Sequence, residues 1–191
     1  EDTAKTLSRY TNCIMARVYE HDLLEKLAEH ATVPVINGLS DTFHPCQILA
    51  DFMTIKEKKK KLKGLKIAWI GDGNNVCNSM IYGAALSGIN MSIATPKGFE
   101  PNKDVVTQAK KSTKIELITY PFFSTKNADV IVADTFSSIH NLDKKRLQKF
   151  LPKYQVNDKL MKSAKKDAIF LHCLPAKREQ EVTSSVIDGP Q

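Results

Sequence analysis

Short β-rich apolar runs alternate with longer amphipathic stretches along this chain of 191 residues. Continuous apolar runs such as Val130–Ala133 are typical of strands that are buried on both faces of a parallel sheet. The apolar runs predict strands at Cys13–Val18, Val33–Asn37, Lys66–Gly71, Met91–Thr95, Ile115–Thr119, Val130–Asp134 and Ala168–His172. The amphipathic stretches predict helices at Asp22–Ala31, Pro45–Lys61, Asn75–Leu86, Lys103–Lys111, Leu142–Phe150 and Asp158–Lys165. This alternation predicts an α/β fold with doubly wound parallel sheets.

A lysine-rich segment at Lys56–Lys63, followed by Gly64, is the clearest candidate for a domain boundary. The stretch after it, 64–191, holds enough predicted strands for a nearly complete Rossmann-like domain. The stretch before it, 1–63, holds too few strands for an α/β domain of its own. We therefore expect one nearly complete domain and part of a second.

The composition excludes several classes of protein. Apolar residues make up 42% and charged residues 26% of the chain, which is outside the range of disordered proteins. The net charge of +7 comes largely from the lysine segment, which we interpret as a solvated helix end. Arginines are few and scattered, so we expect no nucleic-acid partner. With no apolar run long enough to span a membrane and no signal peptide, we expect a cytoplasmic protein.

The cysteines show neither a CxxC pair nor metal-ligand spacing, so we expect no metal site. We interpret them as reduced, buried, small apolar residues. Their positions are Cys13, Cys46, Cys77 and Cys173.

A glycine-rich turn at Gly71–Asn75 (GDGNN) follows a predicted strand and opens a predicted helix. The dinucleotide-binding pattern fails here, because Val76 replaces its third glycine and Ile93–Pro96 lacks the acid that would bind ribose. We therefore expect no nicotinamide cofactor. Asn74 and Asn75 could cap the helix or present an amide to a ligand.

Other polar side chains stand at the ends of predicted elements. His44 and Gln47 lie at the start of a helix, where donors suit an anion or a polarised carbonyl, although a histidine before proline is more often a cap. For Arg17 the residues alone favour a structural ion pair. Asp134 and Cys173 follow buried strands, where open α/β sheets bind ligands, so Asp134 could hold an amine with Cys173 beside it. A cysteine-protease site is disfavoured because neighbouring residues of an extended strand point to opposite faces.

Taken in order, these motifs resemble the ornithine carbamoyltransferases, within the aspartate/ornithine carbamoyltransferase family. The resemblance extends over essentially the whole chain. It rests on Asn37–Asp41 (NGLSD), His44–Gln47 (HPCQ), Gly71–Asn75 (GDGNN), Ala94–Pro101 (ATPKGFEP) and His172–Pro175 (HCLP).

The resemblance implies transfer of a carbamoyl group from carbamoyl phosphate to the side-chain amine of ornithine, without a cofactor or metal. It implies that Arg17, His44 and Gln47 hold carbamoyl phosphate, and that the backbone at Cys173 and Leu174 receives its amide. The family resemblance gives further roles in binding ornithine to Asn75, Asp134 and Ser138. Cys173 with Asp134 would orient or deprotonate the amine, which attacks only when it is neutral.

The resemblance also makes 1–63 the latter part of a carbamoyl-phosphate-binding domain and 64–191 an ornithine-binding domain without its C-terminal end. The family's phosphate-gripping Ser-Thr-Arg-Thr-Arg loop would lie upstream of Glu1, and a later arginine segment would lie beyond Gln191. The family's Ser-Met-Gly loop reads Ser138-Ile139-His140 here. The full-length protein is expected to be a homotrimer.

Alternatives remain open from the residues alone. The acceptor could be aspartate or a modified ornithine, although the cysteine of the HCLP motif favours an ornithine-type substrate. The chain could also be a non-catalytic binding or structural module, and a basic nucleic-acid binder ranks third.

We predict that the 191-residue chain by itself forms little or no citrulline, because the phosphate-gripping loop is absent from it. The measurement is a citrulline assay with carbamoyl phosphate and ornithine, with the intact mass of the sample compared with 21.4 kDa. Turnover at an ordinary enzymatic rate by a sample of that mass would contradict the prediction.

Overall fold

Strands and helices alternate in the computed structural model, which describes residues 1–136 and 144–190. The strands are β1 Ile14–Arg17, β2 Val35–Leu39, β3 Lys66–Ile70, β4 Asn90–Ala94, β5 Ile115–Ile118, β6 Val130–Ala133 and β7 Ile169–His172. The helices are α1 Asp2–Leu7, α2 His21–His30, α3 Pro45–Lys59, α4 Asn75–Ser87, α5 Lys103–Ala109, α6 Pro121–Thr125, α7 Lys144–Phe150, α8 Asp158–Ser163 and α9 Ser184–Ile187. Every predicted strand overlaps an observed one.

The predicted helices are confirmed with small differences at their ends. Helix α3 stops at Lys59 because Lys60 adopts a left-handed conformation, with φ of 63°. The first two residues predicted for α7 lie outside the described residues. Helices α1, α6 and α9 were not predicted. Each is at most six residues long, which is too short to display a helical repeat of apolar residues.

Two parallel sheets organise the described part of the chain. One has five strands in the order β5-β4-β3-β6-β7, and the other pairs β1 with β2. Every strand pair is parallel, which confirms the predicted α/β class. In the larger sheet the chain runs outward from β3 to β5 and then returns to the other side of β3 with β6. The carboxyl ends of β3 and β6 therefore flank a topological switch point.

Side chains of the five-stranded sheet alternate between two apolar layers, so that the sheet is covered on both faces. On one face Ile67 and Trp69 of β3 pack with Met80 of α4. On the other face the sheet packs against aromatic side chains that include Phe136 and Phe150. These two layers confirm the doubly wound arrangement.

Helix α3 joins the smaller sheet to the larger one. It follows β2 in the chain, yet Ile48, Phe52 and Ile55 belong to the same apolar layer as the five-stranded sheet. A Cβ atom on Gly83 of α4 would lie 2.8 Å from Ile48 and 2.9 Å from Phe52, so glycine lets the two helices approach closely. Because α3 contributes to the core of the larger sheet, the division of the chain before Gly64 stays a prediction.

One expectation about burial was wrong, and another has a single exception. Cys13 and Cys46 are exposed rather than buried, since Cys13 precedes an edge strand and Cys46 stands in the first turn of α3. The lysines of Lys56–Lys63 are exposed, as predicted, except Lys59, whose side chain is 6% exposed and lies 2.9 Å from Asp167. Within the described ranges, no helix combines the length and the apolar character that crossing a membrane requires.

Tyr154 connects the ends of two strands, and its removal tests that connection. Its buried hydroxyl lies 2.9 Å from the carbonyl oxygen of Thr95, after β4, and 2.7 Å from that of Thr119, after β5. We predict that Tyr154→Phe lowers the free energy of unfolding by about 1–2 kcal/mol, because buried acceptors lose their donor. Denaturant titration measures the change.

The matched control is Tyr82→Phe, whose hydroxyl makes an exposed contact with Gln108. We expect this variant to change the free energy of unfolding by less than about 0.5 kcal/mol. Equal effects of the two substitutions would show that the carbonyl contacts of Tyr154 contribute nothing to stability.

Candidate functional site

The candidate site lies at the carboxyl edge of the five-stranded sheet. Ile70 pairs with Ala133, and Ala133 pairs with His172, so β3, β6 and β7 end side by side. The residues that follow these strands, Gly71–Asn75, Asp134 and Cys173, are therefore brought together at the switch point. Strand pairing alone places three polar turns at one edge.

Asp134 is the centre of a hydrogen-bond network at this edge. Asp134 is 6% exposed, and its carboxylate accepts bonds from Asn74 Nδ2 at 2.6 Å and from the Cys173 thiol at 2.9 Å. The backbone N–H of Thr135 donates to it as well, at 2.6 Å. The carboxylate thus links the turns after β3, β6 and β7. The expected proximity of Cys173 to Asp134 is observed.

Asn74 belongs to this hydrogen-bond network and also caps helix α4. Its Oδ1 accepts from the backbone N–H groups of Val76 and Cys77, each at 3.1 Å, which confirms the predicted cap of α4. Its Nδ2 remains available for Asp134. The cap was predicted from the sequence, whereas the contact with Asp134 was not.

Cys173 is a protonated thiol at neutral pH. Burial raises its pKa, and the negative charge of Asp134 raises it further. A thiol in this state donates a hydrogen bond and is a poor nucleophile. The protonated state of the thiol therefore argues against a cysteine-protease site, in addition to the strand geometry.

Leu174 is held in an unusual backbone conformation by its neighbours. Its φ is 58°, in the left-handed region, and its side chain is largely exposed. A non-glycine residue there costs roughly 1 kcal/mol, so the surroundings must impose it. The backbone N–H of Leu174 donates to His172 Nδ1 at 2.9 Å, and His172 Nε2 lies 3.3 Å from the buried carboxylate of Glu181. Glu181 was not predicted as a site residue, because no local sequence pattern connects it with His172.

His44 stands at the start of α3, where its backbone N–H donates to Ser79 Oγ at 2.7 Å. Its side chain makes no capping bond, contrary to the more common role of a histidine before proline. Burial lowers the pKa of His44, and the positive charge of Arg17 lowers it further, while Asp134 opposes them. Within the described ranges the buried Nδ1 has no hydrogen-bond partner. His44 is therefore a neutral imidazole with an unused polar atom.

Arg17 ends β1 with its side chain exposed. It makes no ion pair with any carboxylate of residues 1–136 and 144–190, so the expected structural ion pair is not found there. Its charge acts on His44, which places the two groups in one electrostatic environment.

Gln47 lies in the first turn of α3 and donates from Nε2 to Asp51 Oδ1 at 2.9 Å. Asp51 is 8% exposed, and burial raises its pKa to about 6. Asp51 was not among the predicted site residues. Its signal in the sequence was its position four residues after Gln47, which puts both side chains on one helix face.

The two remaining predicted site residues are Asn75 and Ser138. Asn75 donates from Nδ2 to the backbone carbonyl of Ser40 at 2.7 Å, so this N–H links α4 to the segment before α3. Ser138 lies outside the described residues. No group of three metal-ligating side chains occurs in the described part of the chain.

The arrangement suits two complementary ligands. On one side, a guanidinium, a neutral imidazole and the amino end of a 15-residue helix favour an anion next to a carbonyl group. On the other side, a buried carboxylate with a thiol beside it favours an amine. Together they suit transfer of an activated carbonyl group to an amine.

Family models match both parts of the chain. The aspartate/ornithine carbamoyltransferase, Asp/Orn binding domain, matches residues 63–191, and the carbamoyl-P binding domain of the same family matches residues 1–57. The chain belongs to the aspartate/ornithine carbamoyltransferase family. The family predicted from the motifs is thus confirmed.

Individual carbamoyltransferases agree with this assignment. The ornithine carbamoyltransferase of Cenarchaeum symbiosum is 61% identical over 190 residues, which cover 100% of this chain and 63% of that protein. The enzyme of Bacillus subtilis is 50% identical, over 99% of this chain and 61% of its own length. The solved ornithine carbamoyltransferase of Pyrococcus furiosus has a TM-score of 0.94 at 48% identity, over 99% of this chain and 62% of that one. The chain therefore spans somewhat less than two thirds of these carbamoyltransferases.

The environments of the four thiols predict which cysteines a reagent will label. We expect Cys13 and Cys46, which are exposed, to react with a thiol reagent at pH 7. Cys77 is buried, and the raised pKa values of Cys77 and Cys173 keep both protonated and slow to react. Mass spectrometry of the labelled native chain should show two modified sites.

Denaturation before labelling provides the control, because all four free cysteines should then react. A Cys13→Ser/Cys46→Ser variant should show almost no labelling in the native state. Labelling of Cys173 at the rate of Cys13 would contradict the protonated, hydrogen-bonded thiol described above.

Proposed function

We propose that this protein transfers the carbamoyl group of carbamoyl phosphate to the side-chain amine of ornithine, giving citrulline and phosphate. The observation that carries the proposal is the contact of the Cys173 thiol with Asp134, in a site that also holds His44 and Gln47 at the start of α3. Proteins that share 50–61% identity with the chain are named ornithine carbamoyltransferase.

Arg17, His44 and Gln47 form the half of the site that receives carbamoyl phosphate. The guanidinium of Arg17 and the N-terminus of α3 attract the phosphate. The neutral imidazole of His44 donates to the carbonyl oxygen, on which negative charge develops when the amine attacks. Backbone groups at Cys173 and Leu174 receive the carbamoyl amide, and the left-handed conformation of Leu174 positions them.

Asp134 and Cys173 form the half that receives the amine. Asp134 attracts the ammonium group of ornithine and accepts its proton, which leaves a neutral nucleophile. The nitrogen then bonds to the carbonyl carbon, the carbon–oxygen bond to phosphate breaks, and the second proton leaves with the phosphate. Asn75 and Ser138 bind the amino-acid end of ornithine.

Aspartate is the second candidate acceptor within this family. The carboxylate of Asp134, to which the nearby Asp51 adds a like charge, makes the acceptor half negative, which favours a substrate with a cationic side chain over one with an acidic side chain. A non-catalytic binding or structural module is the third candidate, and the absence of turnover by the complete protein would favour it.

The remaining parts of the proposal concern the complete protein. We place it in the cytoplasm, in arginine metabolism, as a homotrimer. It needs neither a cofactor nor nucleic acid, since positioning and charge stabilisation by its own residues supply the catalysis.

The decisive experiment is a citrulline assay on the protein as its source produces it. We predict that Asp134→Asn lowers kcat/KM for ornithine by about 100-fold or more, because the amine loses its proton acceptor. The matched control, Asp104→Asn on the exposed surface of α5, should keep wild-type activity.

The result would contradict the proposal if the wild-type protein formed no citrulline while folded, or if Asp134→Asn and Asp104→Asn had equal activity. Formation of carbamoyl aspartate instead of citrulline would assign the protein to the aspartate branch.

A further inference from the structure

Gln47 and Asp51 form a hydrogen-bonded pair on one face of α3. The role proposed for Gln47 in binding carbamoyl phosphate does not explain why a buried carboxyl group lies beside it. The side chains are four residues apart and joined by a hydrogen bond of 2.9 Å from Gln47 Nε2 to Asp51 Oδ1. Asp51 is 8% exposed, so its carboxyl group is almost entirely removed from water. A buried carboxyl group lowers stability unless its partners compensate, which suggests that it serves a purpose other than stability.

The surroundings of Asp51 make its charge costly. Asp134, after β6, faces it with a like charge, while His172 of β7 and the amide of Gln47 favour the ionised form. The charge of Asp51 in turn raises the pKa of Cys173, which places the Asp51 carboxyl group at the same edge of the sheet as the candidate site. Burial is the largest effect and raises the pKa of Asp51 to about 6. At pH 8 the group is ionised.

An ionised carboxylate accepts hydrogen bonds and donates none. Ionised Asp51 therefore determines the orientation of the Gln47 amide, because only the NH₂ end can face it. The carbonyl oxygen, Oε1, then points elsewhere. No donor from residues 1–136 and 144–190 reaches Gln47 Oε1, so this oxygen is left to accept a hydrogen bond from a ligand.

We propose that Asp51 is a positioning residue for specificity, which orients Gln47 so that the site accepts an N–H donor on the activated carbonyl group. This inference rests on the function proposed above and deepens it. A carbamoyl group carries such a donor, whereas an acetyl group of nearly the same size carries a methyl group there. Asp51 thus acts through Gln47 to select carbamoyl phosphate over acetyl phosphate.

The chemistry of Asp51 makes the selection depend on pH. Below about pH 6 the carboxyl group is protonated and can donate to Gln47 Oε1, which allows the side-chain amide of Gln47 to flip so that Oε1 faces Asp51. The NH₂ end would then face the ligand and would no longer accept from it. Selection for the carbamoyl group is therefore strong at pH 8 and weakens at pH 5.5.

The test compares KM for carbamoyl phosphate with the inhibition constant for acetyl phosphate, in the citrulline assay of the complete protein. We expect Asp51→Asn to reduce the preference for carbamoyl phosphate by about 10-fold at pH 8, since an amide at position 51 accepts either orientation of Gln47. Inhibition by inorganic phosphate, which has no N–H group, should not change. The preference should fall between pH 8 and pH 5.5 in the wild type and stay constant in Asp51→Asn.

Two further variants separate positioning from a structural role. Gln47→Leu removes the amide and should lose the preference, and adding Asp51→Asn to it should cause no further loss. Thermal unfolding should show Asp51→Asn at least as stable as the wild type at pH 8, because the variant removes a buried charge. If Asp51→Asn does not fold, the wild-type comparison between pH 8 and pH 5.5 and the Gln47→Leu variant carry the test.

The outcomes separate a failure of the role of Asp51 from a failure of the proposed function. Citrulline formation with an unchanged preference in Asp51→Asn, or a wild-type preference that is constant across the pH range, would overturn the role of Asp51 alone. Absence of citrulline from the wild-type protein would overturn the proposed function, on which the inference depends.

Discussion

Parallel pairing of β3 with β6 is the constraint on which the candidate site depends. Their register sets Ile70 beside Ala133, so the turn that contains Asn74 must lie beside Asp134. Once the two turns are adjacent, the buried Asp134 carboxylate needs donors, and Asn74 and Cys173 supply them. The apolar layers on both faces of the sheet hold this register, because a shift by one residue would turn each side chain to the opposite face and disrupt the packing of both layers. The chemistry at the edge thus depends on the packing beneath it.

The site contains two groups that cost stability. Asp51 is a carboxyl group whose pKa is raised by burial, and Leu174 adopts a left-handed backbone conformation. Each has a neighbour that compensates in part: Gln47 for Asp51 and His172 for Leu174. Clustered costs of this kind are typical of functional sites, where groups are held ready for a ligand.

Helix α3 connects the two sheets and contributes to both the core and the site. Its apolar face completes the layer over the five-stranded sheet, and its amino end carries His44 and Gln47. The backbone N–H of His44 donates to Ser79, and Asn75 donates to the carbonyl of Ser40, so α4 holds the start of α3 in place. The groups proposed to bind carbamoyl phosphate are therefore fixed relative to the edge that carries Asp134.

The sequence by itself determined the strands, the longer helices, the α/β class and the family, because apolar periodicity and motif order are local properties of the chain. It also indicated that Asp134 and Cys173 would be neighbours, since both follow buried strands. Only the tertiary structure decided that Asn74 donates to Asp134, that His172 supports Leu174 with Glu181 behind it, and that Asp51 is buried under Gln47. These contacts depend on strand order, on helix packing and on exclusion of water, and none of these is encoded in the spacing of residues along the chain.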